Sequence, residues 1–158
     1  MSFAGAGMVL LGGFAVYWEY SRTQRRLLNL ISDLAAALDQ LAGEVRWKLT
    51  PLPDAIFRLT DRKTAGQYFQ KIEEELKSGT TLQKAWEQVF RELPDECSSI
   101  LLRMEWGGDV SRQEGNILYA AAQLQELFGE KQRQIRQKEK LCAATALSAA
   151  GLLVLILV

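Results

Sequence analysis

Histidine is absent from this chain of 158 residues, which has only two cysteines and three prolines. The chain therefore lacks the usual acid–base catalyst at neutral pH and the commonest metal ligand. Cys97 and Cys142 are isolated from one another, so we interpret both as small apolar packing residues. Neither a glycine-rich phosphate loop nor a nucleophile elbow occurs. We predict a protein that is not an enzyme and that has no catalytic residues, cofactor or metal.

Charge is missing from both ends of the chain. Residues 1–18 and 141–158 contain no Lys, Arg, Asp or Glu, and the overall net charge of zero conceals this partition. A helix that spans a bilayer needs roughly 20 apolar residues, with a lower limit near 17. We therefore predict one transmembrane helix at each end, with two buried core helices as the alternative. A cleaved signal peptide fits poorly, because no basic residue precedes the first apolar segment.

Aromatic and basic residues border both apolar segments on the side of the charged block. Lys and Arg beside a span remain in the cytoplasm, and Trp and Tyr favour the membrane surface. The middle of the chain is therefore predicted to be cytoplasmic. We assign these residues to the membrane interface: Tyr17, Trp18, Arg22, Arg25, Arg26, Lys138 and Lys140.

The central block is acidic. Residues 27–129 contain 11 basic and 16 acidic residues, a net charge of about −5. This balance disfavours nucleic acid and favours a protein partner with a basic surface, although inert solvated surfaces also carry such an excess. The acidic run Glu73, Glu74 and Glu75 is interpreted as a solvated helix surface and a candidate partner contact.

The spacing of apolar residues predicts an all-α fold. One stripe with helical spacing begins at Leu27, and further helices are separated by Gly79, Pro94 and the turn at residues 107–109. The last helix is predicted to continue from Val110 to the end of the chain, with Gly129 as its weak point. The stripe comprises Leu27, Ile31, Leu34, Leu38, Leu41 and Val45.

The predicted architecture is a compact helical bundle of about six helices in the cytoplasm, flanked by one transmembrane helix at each end. Its parts are residues 1–18 (first span), 19–129 (helical domain), 130–140 (basic juxtamembrane helix) and 141–158 (second span). Trp47, Trp86 and Trp106 are predicted to pack in the core.

The segment with two prolines contains a predicted helix start, with Pro53 suited to the first helical turn. We also expect the segment as a surface loop and as a second candidate partner contact, because surface loops often carry function. The alternative is that its prolines only shape a corner between helices. This segment comprises Thr50, Pro51, Leu52, Pro53, Asp54 and Ala55.

Several stretches together resemble the stage III sporulation protein AB family of endospore-forming bacteria. They are "EVRWKLTPLPDA", the Ala85-Trp86 pair in "LQKAWEQVF", "DVSRQEGNILYAAAQL" and the closing "AAGLLVLILV". The resemblance covers essentially the whole chain. In one departure, the turn "EWGGD" after Met104 is shorter than the family's usual loop.

The resemblance implies a platform subunit of the channel between mother cell and forespore, located in the mother-cell membrane. The family is similar to the cytoplasmic domain of type II secretion F proteins, which sit beside an ATPase. The implied partners are stage III sporulation protein AA, a cytoplasmic P-loop ATPase, and other channel subunits. Ala146 and Ala150 would allow two helices to approach closely, so we keep a homo-oligomer as an alternative. The alternatives are a general type II secretion or pilus platform and a small membrane-bound sensor.

Overall fold

Six α-helices form the part of the chain that the computed structural model describes, which is residues 3–47 and 51–157. Side chains are described for residues 15–47, 51–146 and 148. Within these residues no β-strand occurs, and the predicted all-α bundle is confirmed. The helices are α1 (Phe3–Trp47), α2 (Leu52–Phe57), α3 (Gly66–Lys77), α4 (Leu82–Phe90), α5 (Asp95–Leu102) and α6 (Val110–Leu157).

Helices α1 and α6 are the long elements and pack antiparallel. Their 45 and 48 residues correspond to lengths of about 68 and 72 Å at the usual rise per residue. The predicted stripe explains the pairing, since Ile31, Leu34, Leu38 and Leu41 are completely buried. Three polar contacts define the antiparallel register: Arg46 Nη1 to Glu114 Oε1 (3.0 Å), Gln125 Nε2 to Asp39 Oδ2 (3.2 Å) and Lys138 Nζ to Tyr20 Oη (3.1 Å).

The four short helices form an arc that begins on α1 and ends on α6, and each packs against the next in chain order. Their apolar residues enclose the core from the side opposite the long helices. Trp86 of α4 lies at its centre, with its ring centroid 4.4 Å from that of Phe90 and 4.6 Å from that of Trp106. Its Nε1 donates a hydrogen bond to the Leu101 carbonyl (2.9 Å), which ties α4 to α5.

Two glycines end or connect helices as the sequence predicts. Gly79 follows α3 with a φ of 92°, and the Thr80 N–H reaches back to the Glu75 carbonyl (3.1 Å). This geometry is a Schellman cap, in which glycine adopts the left-handed conformation at little cost. Gly108 has a φ of 91° in the predicted turn before α6. Thr81 is the N-cap residue of α4, although its side chain makes no capping hydrogen bond.

Asp33 of α1 binds the segment that leads into α3. Its Oδ2 accepts hydrogen bonds from the backbone N–H groups of Thr64 (2.9 Å) and Ala65 (2.8 Å), and its Oδ1 accepts one from Arg62 Nε (2.9 Å). Burial by itself would raise the pKa of Asp33. The two N–H groups and Arg62 outweigh burial, so the pKa of this carboxyl is lowered from its ordinary value.

The structure corrects the prediction that Trp47 packs in the core. Trp47 is 77% exposed, because it lies two residues after the buried Val45 and therefore about 200° around the helix. Its ring stacks instead with Arg46, whose guanidinium carbon is 4.9 Å from the ring centroid.

Gly129 is helical and α6 continues through it, so the predicted weak point does not interrupt the helix. Helix α1 likewise continues without a break at residue 18.

The two predicted transmembrane helices are not supported by the described residues, where no helix is both long and apolar enough to span a bilayer. Residues 1, 2 and 158 lie outside the described part of the chain. The side chains of residues 3–14, 147 and 149–157, which make up most of both apolar segments, also lie outside it.

Gly66 marks a close approach between the start of α3 and the preceding turn. A Cβ atom at this position would lie 2.4 Å from the Thr60 carbonyl oxygen, which is backbone and cannot rotate away. We expect Gly66→Ala to lower the free energy of unfolding by about 2 kcal/mol. Urea unfolding of the full chain in detergent, followed by tryptophan fluorescence, measures this change.

Gly115→Ala is the matched control for Gly66→Ala. Gly115 is also helical, but a Cβ there would meet nothing within 4 Å. Alanine is the better helix former by about 1 kcal/mol, so this variant is expected to be equal to the parent or more stable. Equal destabilisation of both variants would contradict the close-approach explanation.

Candidate functional site

Two basic clusters that are far apart in the sequence meet at one level of the α1–α6 pair. Lys138 Nζ donates to the hydroxyl of Tyr20 (3.1 Å) and lies 5.5 Å from the centroid of its ring. Arg25 Nη2 lies 3.6 Å from Glu139 Oε1. We call this region the basic band and define it by Arg22, Arg25, Arg26, Arg136, Lys138 and Lys140.

Exposed aromatic and apolar side chains border the basic band on the side of the chain termini. The exposed fraction is 40% for Tyr17 and 58% for Trp18, and Val16 and Leu141 are exposed as well. A cleft of about 390 Å³ opens on α1 beside the two aromatic residues. The structure therefore brings all the predicted membrane-interface residues to neighbouring levels of two antiparallel helices.

The two predicted partner contacts lie on adjacent helices. Residues 51–55 are the N-cap and first turn of α2, so they do not form a loop, and Glu73–Glu75 belong to α3. α2 packs against α3, and Lys77 Nζ of α3 lies 5.9 Å from the ring centroid of Phe57 in α2. We call the combined region the α2–α3 surface: Pro51, Leu52, Pro53, Asp54, Glu73, Glu74 and Glu75.

Residues of the α2–α3 surface differ in how accessible they are to a partner protein. Leu52 is half-buried, Ala55 is completely buried beneath this surface, and Thr50 lies outside the described residues. Glu73 forms an ion pair with Lys77, and the Thr80 hydroxyl donates to Glu75 Oε2 (3.2 Å). Among the side chains that the structure describes, Asp54 and Glu74 make no ion pair and are exposed. These two carboxylates are therefore the most accessible to a partner.

The long helices separate the basic band from the α2–α3 surface. Arg58, directly after α2, lies 3.4 Å from Glu44 of α1. Glu44 is 22 positions from Arg22, or about 33 Å along the helix. The basic band thus lies at the level where the apolar ends begin, and the carboxylates of the α2–α3 surface lie beside a level about 33 Å away.

Of the two cysteines, Cys97 is buried and Cys142 is exposed. Burial raises the pKa of the Cys97 thiol to about 11, so this cysteine is protonated and a poor nucleophile at neutral pH. Over the residues that the structure describes, no group of acidic or sulfur side chains has the arrangement of a metal site. The candidate sites are surfaces for contact with other molecules.

The sequence model of the stage III sporulation protein AB family matches residues 2–158, essentially the whole chain. The chain belongs to the stage III sporulation protein AB family. Membership implies a role in stage III of sporulation, and this family is not a known enzyme family. A search of curated proteins and a search of solved structures each found no match.

The family's Ala85-Trp86 pair has a structural explanation. Both residues are completely buried, and Trp86 joins α4 to α5 through its hydrogen bond to Leu101. In the stretch "EVRWKLTPLPDA", Pro51 is the N-cap of α2 and Leu52 is its first residue. Both motifs therefore position helices within the stage III sporulation protein AB fold.

Proposed function

We propose that this protein is a membrane-anchored platform subunit of the channel between mother cell and forespore, and that it docks a cytoplasmic secretion-type ATPase. The observation that carries this proposal is the continuous α1–α6 pair. It has the basic band at one level, and the exposed carboxylates of the α2–α3 surface lie beside a level about 33 Å away. Family membership supports the sporulation role. The proposed ATPase is stage III sporulation protein AA.

Membrane anchoring is the first part of this proposal. Residues 1–18 and 141–158 contain no charged residue, and each approaches the length that a span requires. The antiparallel register of α1 and α6 would place both segments on the same side of the basic band. Two spans with the helical domain in the mother-cell cytoplasm agree with the preference of Lys and Arg for that side.

ATPase docking is the second part. The acidic excess of residues 27–129 favours a basic partner, and complementary charge accelerates encounter and selects the correct partner. Asp54 and Glu74 are the carboxylates of the α2–α3 surface that are both exposed and free of ion pairs in the described part of the chain. In our proposal they receive basic residues of the ATPase, and the uninterrupted α6 transmits its motion toward the membrane.

Charge reversal at Asp54 and Glu74 tests docking. We expect the double variant Asp54→Lys/Glu74→Lys to weaken binding of purified stage III sporulation protein AA at least tenfold, because two attractive contacts become repulsive. The dissociation constant is measured by biolayer interferometry with the full chain in detergent, with and without nucleotide.

The control carries the same change in charge on another face. Glu126 and Glu130 are exposed positions of α6, one helical turn apart. Glu126→Lys/Glu130→Lys is expected to bind the ATPase within about threefold of the parent, which corresponds to less than 1 kcal/mol. Equal weakening by both variants would indicate a general charge effect, and undiminished binding by the first variant would exclude the α2–α3 surface.

A further inference from the structure

The cleft beside the basic band has a graded chemical lining. It is formed by Tyr17, Trp18, Ser21, Arg22 and Arg25, all on α1. Tyr17, Ser21 and Arg25 recur every four residues, as do Trp18 and Arg22, so the five side chains share one helix face. Aromatic rings occupy the end nearer the N-terminus, a hydroxyl lies in the middle, and two guanidinium groups occupy the other end.

Both guanidinium groups of the cleft are available to an anion. Arg22 is exposed and forms no ion pair with any residue in the described part of the chain. Arg25 lies 3.6 Å from Glu139, but its side chain is 71% exposed, and an exposed pair of this kind contributes little. Guanidinium groups bind phosphate oxygens through paired N–H donors, and the Ser21 hydroxyl adds another donor.

Among the described residues, those that line this cleft all belong to α1 and none belongs to α6. Lys138 is directed to Tyr20, where it combines a hydrogen bond with a contact to the ring face. Tyr20 and Lys138 line an adjacent groove between the two helices, which shares Tyr17 and Ser21 with the cleft. The positive charge of the cleft therefore comes from Arg22 and Arg25.

We propose that this cleft binds the headgroup phosphate of an anionic phospholipid. Arg22 and Arg25 hold the phosphate, while Tyr17 and Trp18 contact the glycerol and the upper part of the acyl chains. The graded lining matches such a lipid, because its charged and apolar parts follow one another along the membrane normal, as the cleft side chains do along α1. The inference rests on the proposed membrane anchoring and adds to it a specific lipid class and site.

The test uses the full chain in nanodiscs that contain equal amounts of phosphatidylcholine and phosphatidylglycerol. Native mass spectrometry then counts the lipids retained by the released protein. We expect phosphatidylglycerol to be retained over phosphatidylcholine about tenfold in the parent, because its headgroup lacks the choline cation that Arg22 and Arg25 would repel at this site. Arg22→Gln/Arg25→Gln is expected to remove this preference.

A matched control variant distinguishes lipid binding at the cleft from general attraction of anionic lipid by the positive charge of the basic band. Arg26 and Arg136 are exposed members of the band and do not line the cleft. Arg26→Gln/Arg136→Gln removes the same charge and is expected to retain the parent's preference within twofold. Equal loss in both double variants, or no preference in the parent, would overturn the proposal.

Three outcomes have distinct meanings. Displacement of the lipid by an excess of soluble glycerophosphoglycerol would identify a site for free phosphate esters and would contradict a bilayer lipid as the ligand. Failure of the parent to enter nanodiscs would refute the proposed membrane anchoring and the lipid site with it. Entry into nanodiscs without a phosphatidylglycerol preference would refute the lipid site alone.

Discussion

Replacement of Trp86 by alanine is expected to lower the free energy of unfolding by about 4 kcal/mol, the range measured for large aromatic residues removed from cores. The side chain is completely buried, and its ring contacts those of Phe90, Trp106 and Phe69. Removal would leave a cavity between α3, α4 and α5 and would remove one of the hydrogen bonds that the Leu101 carbonyl accepts, another being from the Met104 N–H (3.3 Å). Urea unfolding of the full chain in detergent, followed by circular dichroism, measures the loss.

Two variants separate the contributions to this effect. Trp86→Phe retains a ring but loses the hydrogen bond to Leu101, so we expect about 1 kcal/mol from the bond and a further loss from the smaller ring. Trp47→Ala removes the same residue type at a site that is 77% exposed, and we expect less than about 0.5 kcal/mol there. A similar loss at positions 47 and 86 would contradict the described core.

Replacement of Asp33 by alanine is expected to lower the free energy of unfolding by about 3 kcal/mol, because two backbone N–H groups and the Arg62 guanidinium lose their acceptor. The hydrogen bonds from Thr64 and Ala65 to Oδ2 connect α1 to the first turn of α3. Asp33→Asn keeps one oxygen but places an N–H₂ group near Arg62 or near the two N–H donors, so it should lose about 2 kcal/mol.

The contribution of Asp33 depends on pH in a predictable direction. Its pKa in the folded protein lies below the ordinary 3.8. Its stabilisation is therefore fully present above the unfolded-state pKa, near 3.9, and decreases as the pH falls through the folded-state pKa. The difference in unfolding free energy between the parent and Asp33→Asn should be constant from neutral pH to about pH 5 and should shrink below about pH 4.

Asp39→Asn is the control for the pH series. Asp39 also lies on α1 and accepts a hydrogen bond from Gln125 (3.2 Å), but it is exposed and contacts no helix start. Its effect should stay within about 0.5 kcal/mol at every pH. A difference between the parent and Asp33→Asn that persists unchanged to pH 2 would contradict a charge-dependent tie between α1 and α3.

Helical periodicity was sufficient to predict the core side of α1. Ile31, Leu34, Leu38 and Leu41 are all completely buried, and Leu27 packs at the margin of the core. The glycine after α3 and the turn before α6 were predictable for a similar reason, because local sequence determines where a left-handed residue is tolerated. Such features depend on residues within one or two helical turns.

Contacts between distant segments were not predictable in this way. Asp33 has the same polar character as the exposed Ser32, and nothing in its neighbourhood indicates that the start of α3 lies against it. Trp47 has the composition of a core residue, yet its angular position on α1 exposes it. The helix start between the two prolines was predicted correctly, but residues 51–55 were also expected as a surface loop and are instead the N-cap and first turn of α2.

The same distinction between local patterns and contacts of distant segments applies to the candidate surfaces. The sequence predicted the basic and aromatic residues beside each apolar segment, because charge near a membrane follows a local rule. It did not indicate that Arg25 lies next to Glu139 or that Lys138 is bound by Tyr20. Those contacts decide which arginines remain available to a phosphate, and they exist only once α1 and α6 are paired.

By itself, the sequence determined the all-α class, the apolar stripe of α1, the glycine stops and the charge-free ends, since each depends on periodicity or composition over neighbouring residues. The tertiary structure alone decided the antiparallel register of α1 and α6, the Asp33 tie, the exposure of Trp47 and the joining of the two candidate partner segments on α2 and α3. The physical reason is that side-chain contacts between distant segments depend on how whole helices pack, and a stripe specifies which face is buried without specifying which residue lies opposite.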